Sequence, residues 1–230
     1  MSTYLVVQFE KSGGSTFSGV IPKARVFTSG PRDLLSAHPR PGRLHHCEHD
    51  TRMSTRSALN CTHMRVLGID CGGQFTGYGV VEMHSGGRLI CLACGAIKLS
   101  PREPLARRLS RIYDGLGLLI TEHRPDEVAI EGIFYALNVK SALKLGQVRG
   151  VAMLAAASAG LEVAEYSPLT IKSSVVGYGR AEKQQVQTMV TRLLGLAEAP
   201  EPMDASDALA VAICHLHTAG TLLRQRAVAR

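Results

Sequence analysis

Four acidic residues stand beside stretches that favour a buried core, where a carboxylate is unusual. Asp70 ends the apolar run VLGI and is followed by Cys71 and two glycines, and Glu131 ends the apolar run VAI. Asp204 and Asp207 open the stretch MDASDALAVAI, and a spacing of three places both on one face of a helix. Four ionised carboxylates brought together would repel one another unless cations lay between them. Hard oxygen ligands that leave room for water and phosphate suit Mg²⁺ or Mn²⁺, so these acids indicate a candidate site for divalent cations.

Each of these acids also has a purely structural interpretation. Asp204 or Asp207 could cap the last helix or favour its dipole. Glu131 could face solvent at the end of its strand, and Asp70 could form a turn with the glycines that follow it. The metal interpretation therefore depends on a fold that brings all four carboxylates together.

The elements that must position the acids are predicted from Met64 onward. Strands are predicted at residues 65–70, 77–83 and 88–97, with a hairpin turn at Ser85, Gly86 and Gly87. Two shorter strands are predicted at 127–131 and 163–166, and helices at 105–122, 141–159, 169–176, 181–194 and 205–219. Three antiparallel strands followed by alternating strands and helices predict an α/β fold. Its sheet is mixed and five-stranded, with helices on both faces.

The first 63 residues differ in composition from the rest of the chain. They are rich in Ser, Gly, Pro, Arg and His without helical or strand periodicity, which predicts a disordered N-terminal extension. Met53 and Met64 are alternative start positions, so the assigned start is in question. The stretch HHCEHD, with Cys61 and His63 downstream, contains zinc-ligand residue types but no familiar zinc spacing. The expected domain spans residues 64–222, and residues 223–230 are expected to form a flexible tail.

Composition sets broad limits on the function. The 230 residues are 45% hydrophobic and 20% charged, without an apolar run long enough to span a bilayer. Six cysteines in a chain of this length indicate a reducing, cytoplasmic setting rather than a disulfide scaffold. The net charge of +7 permits a nucleic-acid partner but does not establish one. Cys91 and Cys94 form a CxxC on the third strand, where their spacing predicts that they face opposite sides.

Four longer stretches carry a family resemblance, and they occur in order within residues 64–219. They are GIDCGGQFTGYGVV, AIEGIFYALNVKSALKLGQVRGVA, IKSSVVGYGRAEKQQVQTMV and DASDALAVAICHLH. In these stretches the chain resembles the RuvC family of bacterial Holliday-junction resolvases, in the RNase H-like superfamily. The family usually has proline after the first aspartate, where this chain has Cys71, and we expect this difference to affect only the turn. Residues 1–63 have no counterpart in the family pattern.

The resemblance implies a metal-dependent DNA endonuclease acting in recombination and repair. It implies a homodimer that cuts a four-way DNA junction by symmetric paired nicks, in the cytoplasm, with the RuvA–RuvB branch-migration complex as a partner. By position, the catalytic and metal-binding residues would be Asp70, Glu131, Asp204 and Asp207, holding two Mg²⁺ ions per subunit, with Mn²⁺ as a substitute. Two ions held by shared carboxylates can activate a water and stabilise the leaving 3′ oxygen.

The resemblance also implies residues that contact DNA. Phe134 would stack on bases opened at the crossover, and Tyr135 beside it is a second candidate. Lys172 and Lys183 match basic positions near the scissile backbone, and Lys144 and Arg149 would extend the basic path.

Two other functional classes are compatible with parts of the sequence. An ATP-binding protein of the actin and sugar-kinase type also has a strand, an aspartate, a glycine-rich turn and a second strand. That class needs a second nucleotide-binding lobe, for which little sequence remains after Met64. A non-catalytic RNase H-like nucleic-acid-binding module is the other alternative, and it would not need four acids.

Overall fold

The computed structural model describes residues 5–11, 15–21, 63–132 and 139–228, with side chains described for 63–132 and 142–221. The strands are β1 (Leu5–Lys11), β2 (Ser15–Ile21), β3 (His63–Cys71), β4 (Phe75–His84), β5 (Leu89–Lys98), β6 (Glu127–Glu131) and β7 (Val163–Tyr166). The helices are α1 (Leu105–His123), α2 (Val139–Ser158), α3 (Pro168–Val176), α4 (Lys183–Leu193) and α5 (Met203–Val228). Among these described elements, no helix is both long enough and apolar enough to cross a membrane.

The strands form one mixed sheet in the order β1-β2-β5-β4-β3-β6-β7. Strands β3, β4 and β5 pair antiparallel, whereas β6 and β7 extend the sheet in parallel on the other side of β3. The turn between β4 and β5 contains Gly86 and Gly87 with φ of 85° and 82°, a conformation that favours glycine. The predicted mixed five-stranded core, from β3 to β7, is therefore confirmed.

Helices cover both faces of this sheet, as predicted. Helices α1 and α2 pack on one face, where Ile112 and Leu116 contact core residues such as Leu67 and Val80. Helices α3, α4 and α5 pack on the other face, where Ile213 lies among residues that include Val66. Because β3, β4 and β6 are buried on both faces, their central residues form continuous buried runs instead of alternating with exposed ones.

The structure departs from the predicted organisation at both ends of the chain. Strands β1 and β2 pair with each other, and β2 joins the sheet at the edge of β5 through Gly19 and Gly95. The sequence pattern predicts no strand there, because pairing along an edge depends on a distant partner and not on local periodicity. Helix α5 also continues to Val228, where a flexible tail is predicted from residue 223. Its last residues, LLRQRAV, are mostly good helix formers.

The prediction that Cys91 and Cys94 face opposite sides of the sheet is wrong. The register between β4 and β5 shifts after Val80. Val80 pairs with Ala93, but the next residue, Val81, pairs with Cys91 and not with Leu92. Leu92 is therefore an extra residue in a β-bulge, and both cysteines face the side covered by α5. The two thiols are hydrogen bonded to each other, and both cysteines are free.

Candidate active site

Two of the predicted acids meet because their strands are neighbours and run in parallel. Ile69 of β3 pairs with Ile130 of β6, so the next residues, Asp70 and Glu131, lie side by side at the same edge of the sheet. Their carboxyl groups are hydrogen bonded to each other. The strands put apolar residues immediately before each acid, which explains why both side chains are partly buried.

The other two acids arrive on α5, which approaches the sheet unusually closely. A Cβ on Gly77 of β4 would overlap the backbone of Asp204, and a Cβ on Gly68 of β3 would overlap the carbonyl oxygen of Ala208. Glycine at these two positions lets the helix backbone lie against the strands. Asp204 and Asp207, one turn apart on that side of the helix, are thereby brought to Asp70.

The cluster is electrostatically unfavourable on its own. Burial, followed by the charges of Glu131, Asp207 and Asp204, raises the pKa of Asp70 from 3.8 to about 8. Burial and the charge of Asp207 also raise the pKa of Glu131, although the hydrogen bond from Asp70 opposes this. At neutral pH the metal-free cluster therefore holds a proton that an isolated aspartate would release. Four oxygen-bearing ligands that repel one another fit a divalent cation such as Mg²⁺ or Mn²⁺.

Two of the predicted basic residues share a cleft with three of the four acids. The cleft has a volume of about 140 Å³, and its lining includes Asp70, Glu131, Asp207, Lys172 and Lys183. The Lys183 ammonium lies 2.7 Å from Oδ2 of Asp207. This hydrogen bond raises the pKa of Lys183, so the lysine stays charged beside the acids. A cleft with both carboxylates and ammonium groups can hold a metal and a phosphate together.

Among the described residues, the other predicted DNA contacts do not line this cleft. Lys144 is exposed on α2. Arg149 is largely buried, with 14% of its side chain exposed, and forms an ion pair with Glu165. Because a paired, buried guanidinium has little freedom to reach a phosphate, Arg149 is less suited to DNA contact than its sequence position suggests. Phe134 and Tyr135 lie outside the described residues, so their predicted roles stay predictions.

Sequence reasoning missed a residue that holds the turn after Asp70. Arg108 of α1 donates a hydrogen bond to the carbonyl oxygen of Gly73. The sequence offered only the pair of arginines at 107–108 as a sign of this contact. The partner of Arg108, Gly73, lies 35 residues away in the chain and could not be identified from the sequence. Cys71, in the same turn, has its pKa raised to about 12 by burial and by the Asp70 charge. Its thiol therefore stays neutral and is no candidate nucleophile.

The histidines of α5 take structural positions outside the lining of the acidic cleft. His215 is 5% exposed, and its Nδ1 and Nε2 lie 2.9 Å from the Tyr166 hydroxyl and 2.8 Å from Oε2 of Glu127. His217 contacts Ser174 through Nδ1 at 3.3 Å. The two histidines thus connect α5 to β6, β7 and α3.

Comparison with known proteins identifies the family of this chain. The family model for "Crossover junction endodeoxyribonuclease RuvC" matches residues 66–215, a range that contains all four acids and both cleft lysines. A curated relative of that description from Koribacter versatilis is 60% identical over 166 residues, covering 72% of this chain and all of the relative.

Solved structures give the same answer at the level of the fold. The Thermus thermophilus RuvC structure matches with a TM-score of 0.65 and 37% identity, over 69% of this chain and 96% of that one. A structure of T. thermophilus RuvC in complex with Holliday junction substrate also matches with a TM-score of 0.65 and 37% identity, over 68% and 94% of the two chains. The predicted family and fold are confirmed, and the chain belongs to the RuvC family of crossover junction endodeoxyribonucleases.

Proposed function

We propose that this chain resolves Holliday junctions by metal-dependent hydrolysis, placing symmetric paired nicks in two strands of a four-way DNA junction. The observation that carries the proposal is the convergence of Asp70, Glu131, Asp204 and Asp207, with the pKa of Asp70 raised to about 8. Such a cluster is costly to a fold unless a cation binds it. The T. thermophilus RuvC complex with a Holliday junction supports the choice of substrate.

The four carboxylates would hold two Mg²⁺ ions, with Mn²⁺ as a substitute. When bound, the ions supply activation of a water and stabilisation of the leaving 3′ oxygen. The chain itself contributes the positions of the ligands: the paired ends of β3 and β6 orient Asp70 and Glu131, and the first turns of α5 orient Asp204 and Asp207. The proton that Asp70 retains in the metal-free state must leave before all four carboxylates can act as ligands.

Lys183 and Lys172 would hold the phosphate that is cut. Both line the cleft of the acids, and Lys183 already contacts Asp207. A lysine on a flexible stem supplies a point charge that can move from a carboxylate to a phosphate. Phe134 and its neighbour Tyr135 would stack on bases at the opened crossover, while Lys144 would add a peripheral phosphate contact.

The paired nicks require a homodimer, since one carboxylate cluster cuts one strand. A face of α2 supports this proposal. Leu143 and Leu154 are 64% and 56% exposed, and eleven residues are close to three helical turns, so both lie on the same side of the helix. Exposed apolar residues on one helix face are typical of a surface that a partner covers. We propose a partnership with RuvA–RuvB and a cytoplasmic location from the family resemblance alone.

The test is cleavage of a synthetic four-way junction labelled on each strand in turn. With Mg²⁺ we expect cuts at matching positions on two opposed strands, and with a chelator we expect none. A linear duplex containing the same sequence is the matched control and should stay intact. Equal cutting of the duplex, or cutting in the chelator, would contradict the proposal.

A further inference from the structure

The end of the sheet away from the carboxylate cluster carries a second group of potential metal ligands. His63 is the first residue of β3 and pairs directly across the strands with His84, the last residue of β4. Glu82 lies two residues before His84, so its side chain projects from the same face of the sheet. The two imidazole rings lie 4.2 Å apart between centroids and are nearly perpendicular, at 78°. Strand pairing therefore holds these three side chains together.

The spacing of the ligand atoms is close to what a metal ion needs. One nitrogen from each histidine and one oxygen of Glu82 all lie within 4.8 Å of one another. The contact between His84 Nε2 and Glu82 Oε1 is 2.8 Å. A tetrahedral zinc ion with bonds of about 2.0–2.2 Å needs its ligand atoms about 3.3–3.6 Å apart. Small side-chain rotations would close this gap, with the ion replacing the proton between His84 and Glu82.

A neighbouring arginine already orients the carboxylate. Arg65 donates two hydrogen bonds to Oε2 of Glu82, from Nε at 3.0 Å and from Nη2 at 2.5 Å. The other oxygen, Oε1, is the one that faces His84. An outer partner of this kind fixes the direction of a ligand and leaves the inner oxygen for the ion.

We propose that His63, Glu82 and His84 bind a zinc ion, with a fourth position left for water. Two imidazoles and one carboxylate form a set that zinc and similar late transition metals prefer, whereas Mg²⁺ prefers oxygen ligands alone. Seven residues of extended strand separate His63 from Asp70, which corresponds to about 23 Å. The zinc site is therefore distinct from the nuclease centre, at the opposite end of the same strand.

The ion would fasten the start of β3 to the end of β4. Its ligands come from two strands and are adjacent only when these strands are paired in the folded chain. Zinc that binds only the folded form stabilises it in proportion to the logarithm of its concentration. The role is structural, since the ion would stabilise the pairing of the two strands, one of which carries Asp70 at its other end.

The test is a calorimetric titration of the full chain with Zn²⁺ in saturating Mg²⁺, so that Mg²⁺ occupies the carboxylate cluster. Wild type should bind one ion that His84→Ala binds at least about 100-fold more weakly, because even outer partners of a ligand are worth about 10–100-fold. The matched control is the double variant Cys47→Ser and His49→Ala, which removes the cysteine and one of the three histidines of the HHCEHD stretch and should retain this ion. Equal affinity in wild type and His84→Ala, or loss of the ion in the control, would overturn the proposal.

Two further measurements keep the test decisive. His63 is exposed, so His63→Ala should fold normally and still lose the ion if His84→Ala proves unstable. With Co²⁺ in place of zinc, the spectrum should show nitrogen and oxygen ligation without a thiolate charge-transfer band. A thiolate band that persists in the Cys47→Ser and His49→Ala control would assign the metal to other cysteines and sink the proposal.

Discussion

The two ends of the β3–β4 strand pair carry acids in opposite electrostatic situations. At one end, burial and three further carboxylates raise the pKa of Asp70 to about 8. At the other end, burial also acts to raise the pKa of Glu82, but the hydrogen bonds and charge of Arg65 hold it below its usual value. The same strands thus hold one acid whose charge is compensated within the protein and one whose charge needs a partner from outside. Uncompensated burial marks the end that carries the proposed nuclease centre.

The most direct test of this difference between the two ends removes the charge of Asp70, the acid that the protein does not compensate. Asp70→Asn should lower junction cleavage in Mg²⁺ by at least about 10²–10³-fold, since it removes a ligand that acts in the transition state. Junction binding should persist, because loss of a negative charge near phosphates does not weaken attraction to DNA. A cleavage assay beside a gel-shift assay checks both. Glu82→Gln is the control at the other end, and cleavage near the wild-type rate by Asp70→Asn would remove this acid from the mechanism.

The close packing of α5 against β4, which brings Asp204 to the cluster, can be disrupted without changing an acid. Gly77→Ala would force a Cβ into the backbone of Asp204, and we expect it to cost about 1–3 kcal/mol of unfolding free energy and to lower cleavage. Gly146→Ala on α2 meets open space and should instead stabilise by about 0.5–1 kcal/mol. Chemical denaturation of both variants measures the difference. Equal stability of Gly77→Ala and wild type would mean that α5 does not need this contact.

Removal of the positively charged Lys183 side chain from the cleft sharpens the comparison. Lys183→Met should reduce cleavage by about 10–100-fold, because a charged hydrogen bond to phosphate is worth about 1.5–3 kcal/mol. Lys144→Met, on the exposed face of α2, is the matched control and should change cleavage much less. Single-turnover kinetics at saturating enzyme separates this effect from weaker DNA binding. Equal losses in the two variants would argue for a general charge effect.

The folding stability of the metal-free protein should depend on pH, with a smaller effect than the substitutions above and a sign that the raised pKa of Asp70 determines. The folded pKa of Asp70 is about 8 and its usual value is 3.8, so the folded chain keeps a proton that the unfolded chain releases. Its contribution is complete below about pH 4 and is lost as the pH rises to about 8. In chelator, the melting temperature should fall on the order of 5 °C between pH 5 and pH 8, and less in Asp70→Asn. Glu82, whose pKa is lowered, acts only at lower pH, so Glu82→Gln should keep the wild-type slope.

The smallest effect on catalysis is expected from the chain before β3. A chain that starts at Met64 should fold and cut junctions at close to the wild-type rate, since the five core strands and all four acids are retained. The same truncation removes His63 and should weaken zinc binding at the other end. Cleavage and zinc titration of the shortened chain test both statements. An insoluble or inactive product would show that the first 63 residues support the core.

The sequence predicted those features that depend on local pattern. Apolar runs that end in Asp70 and Glu131 marked the strand ends, and the spacing of Asp204 and Asp207 marked one face of a helix. The bulge at Leu92 could not be predicted from the sequence, because the register of β5 depends on its pairing with β4. The ion pair between Arg149 and Glu165 could not be predicted either, because the two residues meet only when α2 packs beside β7.

The contact of α5 with Gly68 and Gly77 has a consequence for insertions and deletions. One residue added within 204–212 would rotate the later part of the helix by about 100° and advance it by about 1.5 Å, turning small residues away from the strands. The backbone contact tolerates no such slip, because a Cβ on Gly68 already has no room against Ala208. We expect length changes in this segment to be eliminated by selection, and length changes between α4 and α5, at 195–201, to be tolerated.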